Sequence, residues 1–316
     1  MTRARYAVSV IDLHTHSNFS DGSDSPAQLA QKAHALGLRA IALTDHDTTA
    51  SHAPMAGACE EYGIELVPGV EISLLDNVFP RRGDEGTTFA RGVHVLAYFV
   101  PLDAEHPVQR LLARLRDDRA DRNVRLLQRL RELGFERLSL ENVSSYAATP
   151  EGLGRPHFAA AMFERHSEIV GERTPESWSR IFVDWLGSTG RAYVPKTTLS
   201  LEDFIAVAQG SRTVFSIAHP LLNYLPGYNA ASISREMPPI LASLRERGVA
   251  GVEAYYGGTS AATRSLMLKL TRDAGLIPTG GSDYHGLFKE DVSLGVGHSG
   301  DLHVPDEILD ELKAAR

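Results

Sequence analysis

Short apolar runs alternate with helix-period segments over the first hundred residues, the pattern of βα units arranged around a sheet. Strands are expected near Val8–Leu13, Ala40–Leu43, Glu65–Val67 and Val93–Phe99. Between the first two, Ser25 stands as N-cap before Pro26 at the first helical position. Leu29, Ala33 and Leu36 form an apolar stripe, and Gly37 closes the helix. From Pro101 to about Ser200 the strand pattern fades, and helical stretches take over at Val108–Leu133, Pro156–Ile169 and Pro175–Leu186. The alternation then resumes, with strands Thr213–Ala218, Gly251–Ala254 and Ile277–Thr279 and helices near Leu201–Gln209, Pro239–Arg247 and Ala261–Ala274. This order fits an α/β barrel built from residues 1–100 and 201–316, with a helical insertion over residues 101–200 that contributes to a substrate pocket. Arginines in the first insertion helix are interleaved with Asp and Glu, so that run reads as a solvated face and is assigned no function.

In parallel α/β architectures the loops after the strands open onto one face, and chemistry collects there. The first strand ends in Asp12-Leu13-His14-Thr15-His16, where a period of two sends both imidazoles to the same side. The second ends in Thr44-Asp45-His46-Asp47, the third leads to Gly69-Val70-Glu71, and the fourth begins with His94. After the insertion come Ala218-His219-Pro220, Gly251-Val252-Glu253 and Gly280-Gly281-Ser282-Asp283-Tyr284-His285. Asp45 and Asp283 could each be helix N-caps, and a lone His-X-His pair arises often by chance. Together, though, so many His and carboxylate groups in one mouth would leave desolvated charges and unpaired donors unless metal resolved the conflict.

Composition narrows the chemistry. Thirteen histidines accompany a single cysteine, Cys59, which excludes a disulfide framework and any Cys-based zinc site. A reducing, cytoplasmic setting follows as an expectation, since the N-terminal stretch has neither signal-peptide shape nor membrane length. Lys and Arg total 32 against 40 Asp and Glu, a formal charge of −8, which argues against a broad electrostatic footprint for duplex nucleic acid or membrane. The candidate ligands are His14, His16, Asp21, His46, Glu71, His94, His219, Asp283 and His285. Nine donors exceed the four to six that one ion takes, so two or three divalent ions (Mn, Fe or Zn) are expected, with Glu71 and Asp283 as bridges. Such a cluster suits phosphate-ester hydrolysis by metal-activated hydroxide. Arg155 and Lys196, each beside the start of a helix, are candidate phosphate-binding residues, and His157 is a candidate general acid or phosphate ligand.

The stretches HTHSNFSDG, LTDHD, GVEIS, HVLAY, AHP and GSDYH, running from His14 to His285, resemble the PHP (polymerase and histidinol phosphatase) phosphoesterases. The resemblance is to a stand-alone bacterial branch with an Arg-Pro-His stretch, here Arg155-Pro156-His157, and a Pro-Lys segment, here Pro195-Lys196. It implies a distorted (β/α)7 barrel and three metal sites. One would be formed by His14, His16, Glu71 and Asp283, a second by Glu71, His94 and His219, and a third by Asp21, His46 and His285. Many relatives carry histidine where this chain has Asp21, which implies a harder and more exchangeable third site. The resemblance also implies a nucleotide phosphomonoesterase, acting on AMP-like nucleotides, 3′,5′-bisphosphates or the 5′ end of a short single-stranded oligonucleotide. Two alternatives stand beside it: an amidohydrolase or deaminase barrel, and a non-catalytic metal-binding scaffold.

Overall fold

The computed structural model describes residues 10–82, 87–196 and 198–316; Val8 and Ser9 of the first expected strand, and Thr197, lie outside the described residues. The strands are β1 (Val10–Thr15), β2 (Leu38–Leu43), β3 (Glu65–Arg82), β4 (Thr88–Tyr98), β5 (Leu199–Ser200), β6 (Val214–Ile217), β7 (Gly251–Tyr256), β8 (Ile277–Gly281) and β9 (Val304–Pro305). They form one sheet in the order β8-β7-β6-β4-β3-β2-β1-β9, with β5 added to β3. The sheet curls until its ends meet, as Asp283 donates its backbone N–H to the His14 carbonyl (2.9 Å) and His16 donates to that of Tyr284 (3.0 Å). Gly281 makes this closure possible, because a Cβ there would lie 2.4 Å from the His14 nitrogen. The result is a distorted α/β barrel with two short strands appended.

Two strand expectations need correction. β3 runs fifteen residues past the expected end at Val67, since Val70, Ile72 and Leu74 continue a buried alternation. The next strand, β4, pairs antiparallel with both β3 and β6, so the sheet is not wholly parallel. This reversal brings His94, just upstream of the Val95–Tyr98 stretch that pairs with β6, to the same mouth as the downstream end of β6.

On β2 the side chains alternate as a two-faced strand requires. Ile41 and Leu43 pack with Leu29, Ala33 and Met55 of the outer helices α1 (Pro26–Ala35) and α2 (His52–Tyr62), while Ala40 and Ala42 join Ile11, Leu13, Val67 and Leu96. Each fully buried Leu or Ile contributes about 1.5–3 kcal/mol. Ser25 caps α1 through a reciprocal bond with Gln28, as its sequence suggests.

The chain between β4 and β5 is helical among the described residues: α3 (Pro107–Glu132), α4 (Leu140–Ser144), α5 (Arg155–Arg165), α6 (Ser167–Val170) and α7 (Pro175–Ile181), which ends in a wide turn over Phe182–Leu186. This part has its own apolar cluster, including Leu126, Leu130, Phe135, Phe158 and Met162. The expected Pro156–Ile169 helix is broken at His166. After β5 come α8 (Leu201–Val207), α9 (Pro220–Tyr224), α10 (Ala230–Glu246), α11 (Ala261–Asp273) and α12 (Glu307–Ala314). α10 begins nine residues before the expected Pro239, because Asn229 and Ser232 form a capping box and the helix continues through Pro238 and Pro239. Among the described residues no helix is long and apolar enough to cross a membrane.

Candidate metal centre

The nine histidines and carboxylates singled out in the sequence converge at the barrel mouth. Their ligand atoms fall into three groups, each with all atoms within 4.8 Å of one another: His14, His16, Glu71 and Asp283; Glu71, His94 and His219; and His16, Asp21, His46 and His285. Glu71 lies at the centre. One of its oxygens is 3.1 Å from His16 Nε2 and 3.2 Å from His14 Nε2; the other is 2.9 Å from His94 Nδ1 and 3.3 Å from His219 Nε2. Asp21 lies 3.4 Å from His285 Nε2 and 3.7 Å from His46 Nε2.

A carboxylate that faces two groups can span two ions, and Glu71 meets that condition. Asp283 faces two groups through one oxygen, 3.4 Å from His14 Nε2 and 3.5 Å from His285 Nδ1, while its second oxygen is held by the Lys289 ammonium at 2.5 Å and faces the Tyr256 hydroxyl at 3.3 Å. Lys289 escaped the sequence reading, and Asp283 in turn holds its ammonium above the usual lysine range against the opposing effect of burial.

The donor set fits divalent cations. His16 Nδ1, Asp21 Oδ1, His46 Nδ1, Glu71 Oε1 and His219 Nδ1 are buried without a hydrogen-bond partner. Each such atom costs about 1–3 kcal/mol unless something satisfies it. Burial lowers the His46 pKa to about 3, leaving a neutral imidazole with a free lone pair. Burial would also lower His14, but the Glu253, Asp283 and Glu71 carboxylates hold it well above its ordinary value. Nearby histidines keep Glu71 ionised despite burial.

Buried carboxylates outside the three groups orient the ligands. Glu253 accepts from His14 Nδ1 at 2.9 Å and from the His219 backbone N–H at 2.6 Å, which turns His14 Nε2 toward Glu71. Asp12 accepts from the backbone N–H groups of His14, Ser282 and Gly295, tying β1 to the end of β8. Asp45 is not a helix cap; it accepts from the hydroxyls of Ser17, Ser20 and Ser51 and fixes the loop that carries Asp21. Backbone strain gathers at the same place. His219 (φ 28°), Asp283 (φ 57°) and Asp47 (φ 57°) all have positive φ at the mouth, a cost typical of functional sites.

The groups open into a cavity of about 660 Å³ whose other wall is cationic, with Arg119 and Arg122 from α3, Arg155 from α5, and Lys196. This corrects the reading of α3 as a solvated face. Its buried positions run Val108, Leu112, Arg119, Arg122, Leu126 and Leu130, so two arginines occupy the apolar stripe. Arg119 pairs with Asp47, and Lys196 lies 4.0 Å from the same carboxylate. Burial would raise the Asp47 pKa, but Arg119 pulls it down to about 2. Burial and the neighbouring guanidinium of Arg119 push Arg122 down to about 9. Lys196 falls to about 8, with burial the main cause. Arg119 Nε and Arg122 Nε have no hydrogen-bond partner. These four cations face Asp21, Glu71 and Asp283 across the cavity, and divalent ions on those carboxylates would leave an excess of positive charge that an anion would balance.

His157 sits differently from the expectation. It is fully buried and lies outside the cavity lining; Nδ1 accepts from the Gly154 backbone N–H at 2.9 Å, and the ring packs edge-on against Phe288. As the third residue of α5 it caps its own helix, and Gly154, Arg155 and Pro156 form the wall in its place. Burial lowers its pKa to about 4.

Known proteins share this architecture. The chain is 27% identical over 274 residues to a 5′-3′ exoribonuclease of Haemophilus influenzae, covering 87% of this chain and 89% of the relative. It is 28% identical over 298 residues to a 3′,5′-nucleoside bisphosphate phosphatase of Chromobacterium violaceum, covering 92% of each. A solved chain from Bifidobacterium adolescentis, named as a metal-dependent phosphoesterase, superposes with a TM-score of 0.74 at 27% identity, covering 97% of this chain and 96% of that one. Residues 12–182, more than half the length, match the PHP domain, and the chain belongs to the PHP domain family.

Proposed function

We propose that this protein is a metal-dependent phosphomonoesterase that removes a phosphate from nucleotides. One observation carries phosphoester hydrolysis: three His/carboxylate groups face Arg119, Arg122, Arg155 and Lys196 across a single cavity. His14, His16, Glu71 and Asp283 would hold one divalent ion, Glu71, His94 and His219 a second, and Asp21, His46 and His285 a third. Divalent ions supply Lewis acidity toward phosphoryl oxygens and acidify water. Arg155 and Arg122 bind the phosphoryl oxygens, with guanidinium forks suited to paired contacts. Lys196 adds a compact charge beside Asp47, and Arg119 holds Asp47 so that the wall keeps its shape. The helical part over residues 101–200 supplies this wall, the barrel the ligands. Membership of a phosphoesterase family, with one relative named as a nucleoside bisphosphate phosphatase and another as an exoribonuclease, supports phosphoester hydrolysis and a nucleotide or short RNA as substrate.

The test is phosphate release with Mn²⁺ from 5′-AMP, 3′,5′-bisphosphoadenosine, histidinol phosphate and a short 5′-phosphorylated RNA, with ammonia measured in parallel. Release from a mononucleotide is expected. Release of nucleotides from RNA without phosphate release from AMP would make the enzyme a diesterase, and ammonia without phosphate would place it with the deaminases.

A further inference from the structure

Nothing in the metal centre or the cationic wall distinguishes a nucleotide from any other phosphate ester. A second cavity, of about 600 Å³, opens beside them. It shares Pro156, Phe182 and His285 with the first, so the two are continuous. One side is formed by Pro175, Trp178 and Phe182, and the other by Leu287 and Phe288 from the segment after β8. Trp178 and Phe288 stack on each other where the two sides meet, with ring centroids 6.2 Å apart and an interplanar angle of 15°. Arg173 spans the two sides, stacking over the Trp178 ring at 4.4 Å and pairing with Glu290 at 3.0 Å. Leu287 is 65% exposed, an apolar side chain without a partner at the cleft edge. Thr174, Ser179, Asp291 and His298 add hydrogen-bonding groups around these apolar surfaces.

We propose that this cleft holds the base of the nucleotide whose phosphate lies at the metal centre, an inference that rests on the function proposed above. Apolar surfaces from Pro175, Phe182 and Leu287 with polar groups at the edges match a heteroaromatic ring, which is apolar on its faces and hydrogen-bonding at its rim. A phosphate or a bare sugar would leave the apolar walls unmatched, and an acyl chain would leave the polar edge unpaired. The continuity at His285 lets one molecule occupy both cavities.

Two measurements test this. Adenosine, which carries no phosphate, is titrated against a Trp185→Phe protein so that Trp178 is the sole tryptophan; saturable quenching of its fluorescence is expected, and it should be lost in the Trp185→Phe, Leu287→Asp double variant. Separately, kcat/KM is compared for AMP and ribose 5-phosphate. The preference for AMP should drop about tenfold or more in Leu287→Asp and in Ser179→Trp, the scale of losing a stacked base. Both substituted side chains are exposed, so the fold should tolerate them. The inference is overturned if adenosine leaves the fluorescence unchanged or the preference survives both substitutions. Should neither ester be hydrolysed, the proposed function fails, and adenosine quenching alone decides the cleft.

Discussion

The two walls of the principal cavity differ in charge, in secondary structure and in how their residues are held. On the barrel side, imidazoles and carboxylates stand at strand ends, with Asp12 and Glu253 bonded behind them. Across the cavity, Arg119, Arg122 and Arg155 are carried by helices, and Arg119 is anchored by an ion pair to Asp47 on the barrel loop. Strand ends in a closed sheet are fixed by hydrogen bonds on both sides, which suits ligands that must meet within a few ångströms. Helices packed from outside can be varied without breaking the sheet, which suits the part that selects a substrate. Under the function proposed above, the comparison separates the metal-dependent chemistry, on the barrel, from phosphate binding, mostly on the inserted part.

Breaking the barrel wall should have the largest effect. Replacing His14 and Asp283 together by alanine is expected to reduce phosphate release by about a thousandfold or more, because several kcal/mol of charge stabilisation is lost; circular dichroism checks that the fold persists. Across the cavity, Arg155→Ala should lower kcat/KM for AMP by about a hundredfold, the scale of removing one charged donor from a developing oxyanion. Glu253→Gln sharpens the barrel side further. It keeps the shape but weakens the bond that orients His14, so the Mn²⁺ concentration for half-maximal activity should rise about ten- to a hundredfold.

A pH profile probes the cationic wall more finely. Burial, together with Arg119, Arg122 and Arg155 and against the pull of Asp47, sets Lys196 near 8. The ammonium is charged below that pH and neutral above it, so kcat/KM should fall by up to about tenfold between pH 8 and 9. Lys196→Arg should move that limb upward by keeping the charge. The smallest effect is expected from Arg114→Ala on the exposed side of α3, where activity should be unchanged within error; a clear loss would blur the division between the two faces of that helix.

The barrel wall was legible in the sequence and the opposite wall only in part, through Arg155 and Lys196, for physical reasons. His14, His16, His219 and Asp283 sit at or just past strand ends, which follow from apolar runs and turn residues; Glu71 lies inside the long β3, whose extension past Val67 the sequence did not show. The reversal of β4 was hidden because a period of two reads the same in either direction, although the missing helix between β3 and β4 hinted at a hairpin. Arg119 and Arg122 were obscured by charge itself. They continue the register of Val108, Leu112, Leu126 and Leu130, yet composition alone makes an arginine-rich helix look solvated. The cleft between Trp178 and Leu287 depends on contacts across more than a hundred residues of chain, which no local pattern encodes, and Lys289 reaches Asp283 only because the turn after β8 folds it back.

The central claim, that the three groups at the mouth hold metal and that hydrolysis depends on it, is tested most directly by measuring bound metal and phosphate release from AMP on one preparation, before and after chelation and after Mn²⁺ is restored. The account expects at least two divalent ions per chain, loss of turnover as they are stripped, and recovery on re-addition. Full turnover by a metal-free chain would contradict it.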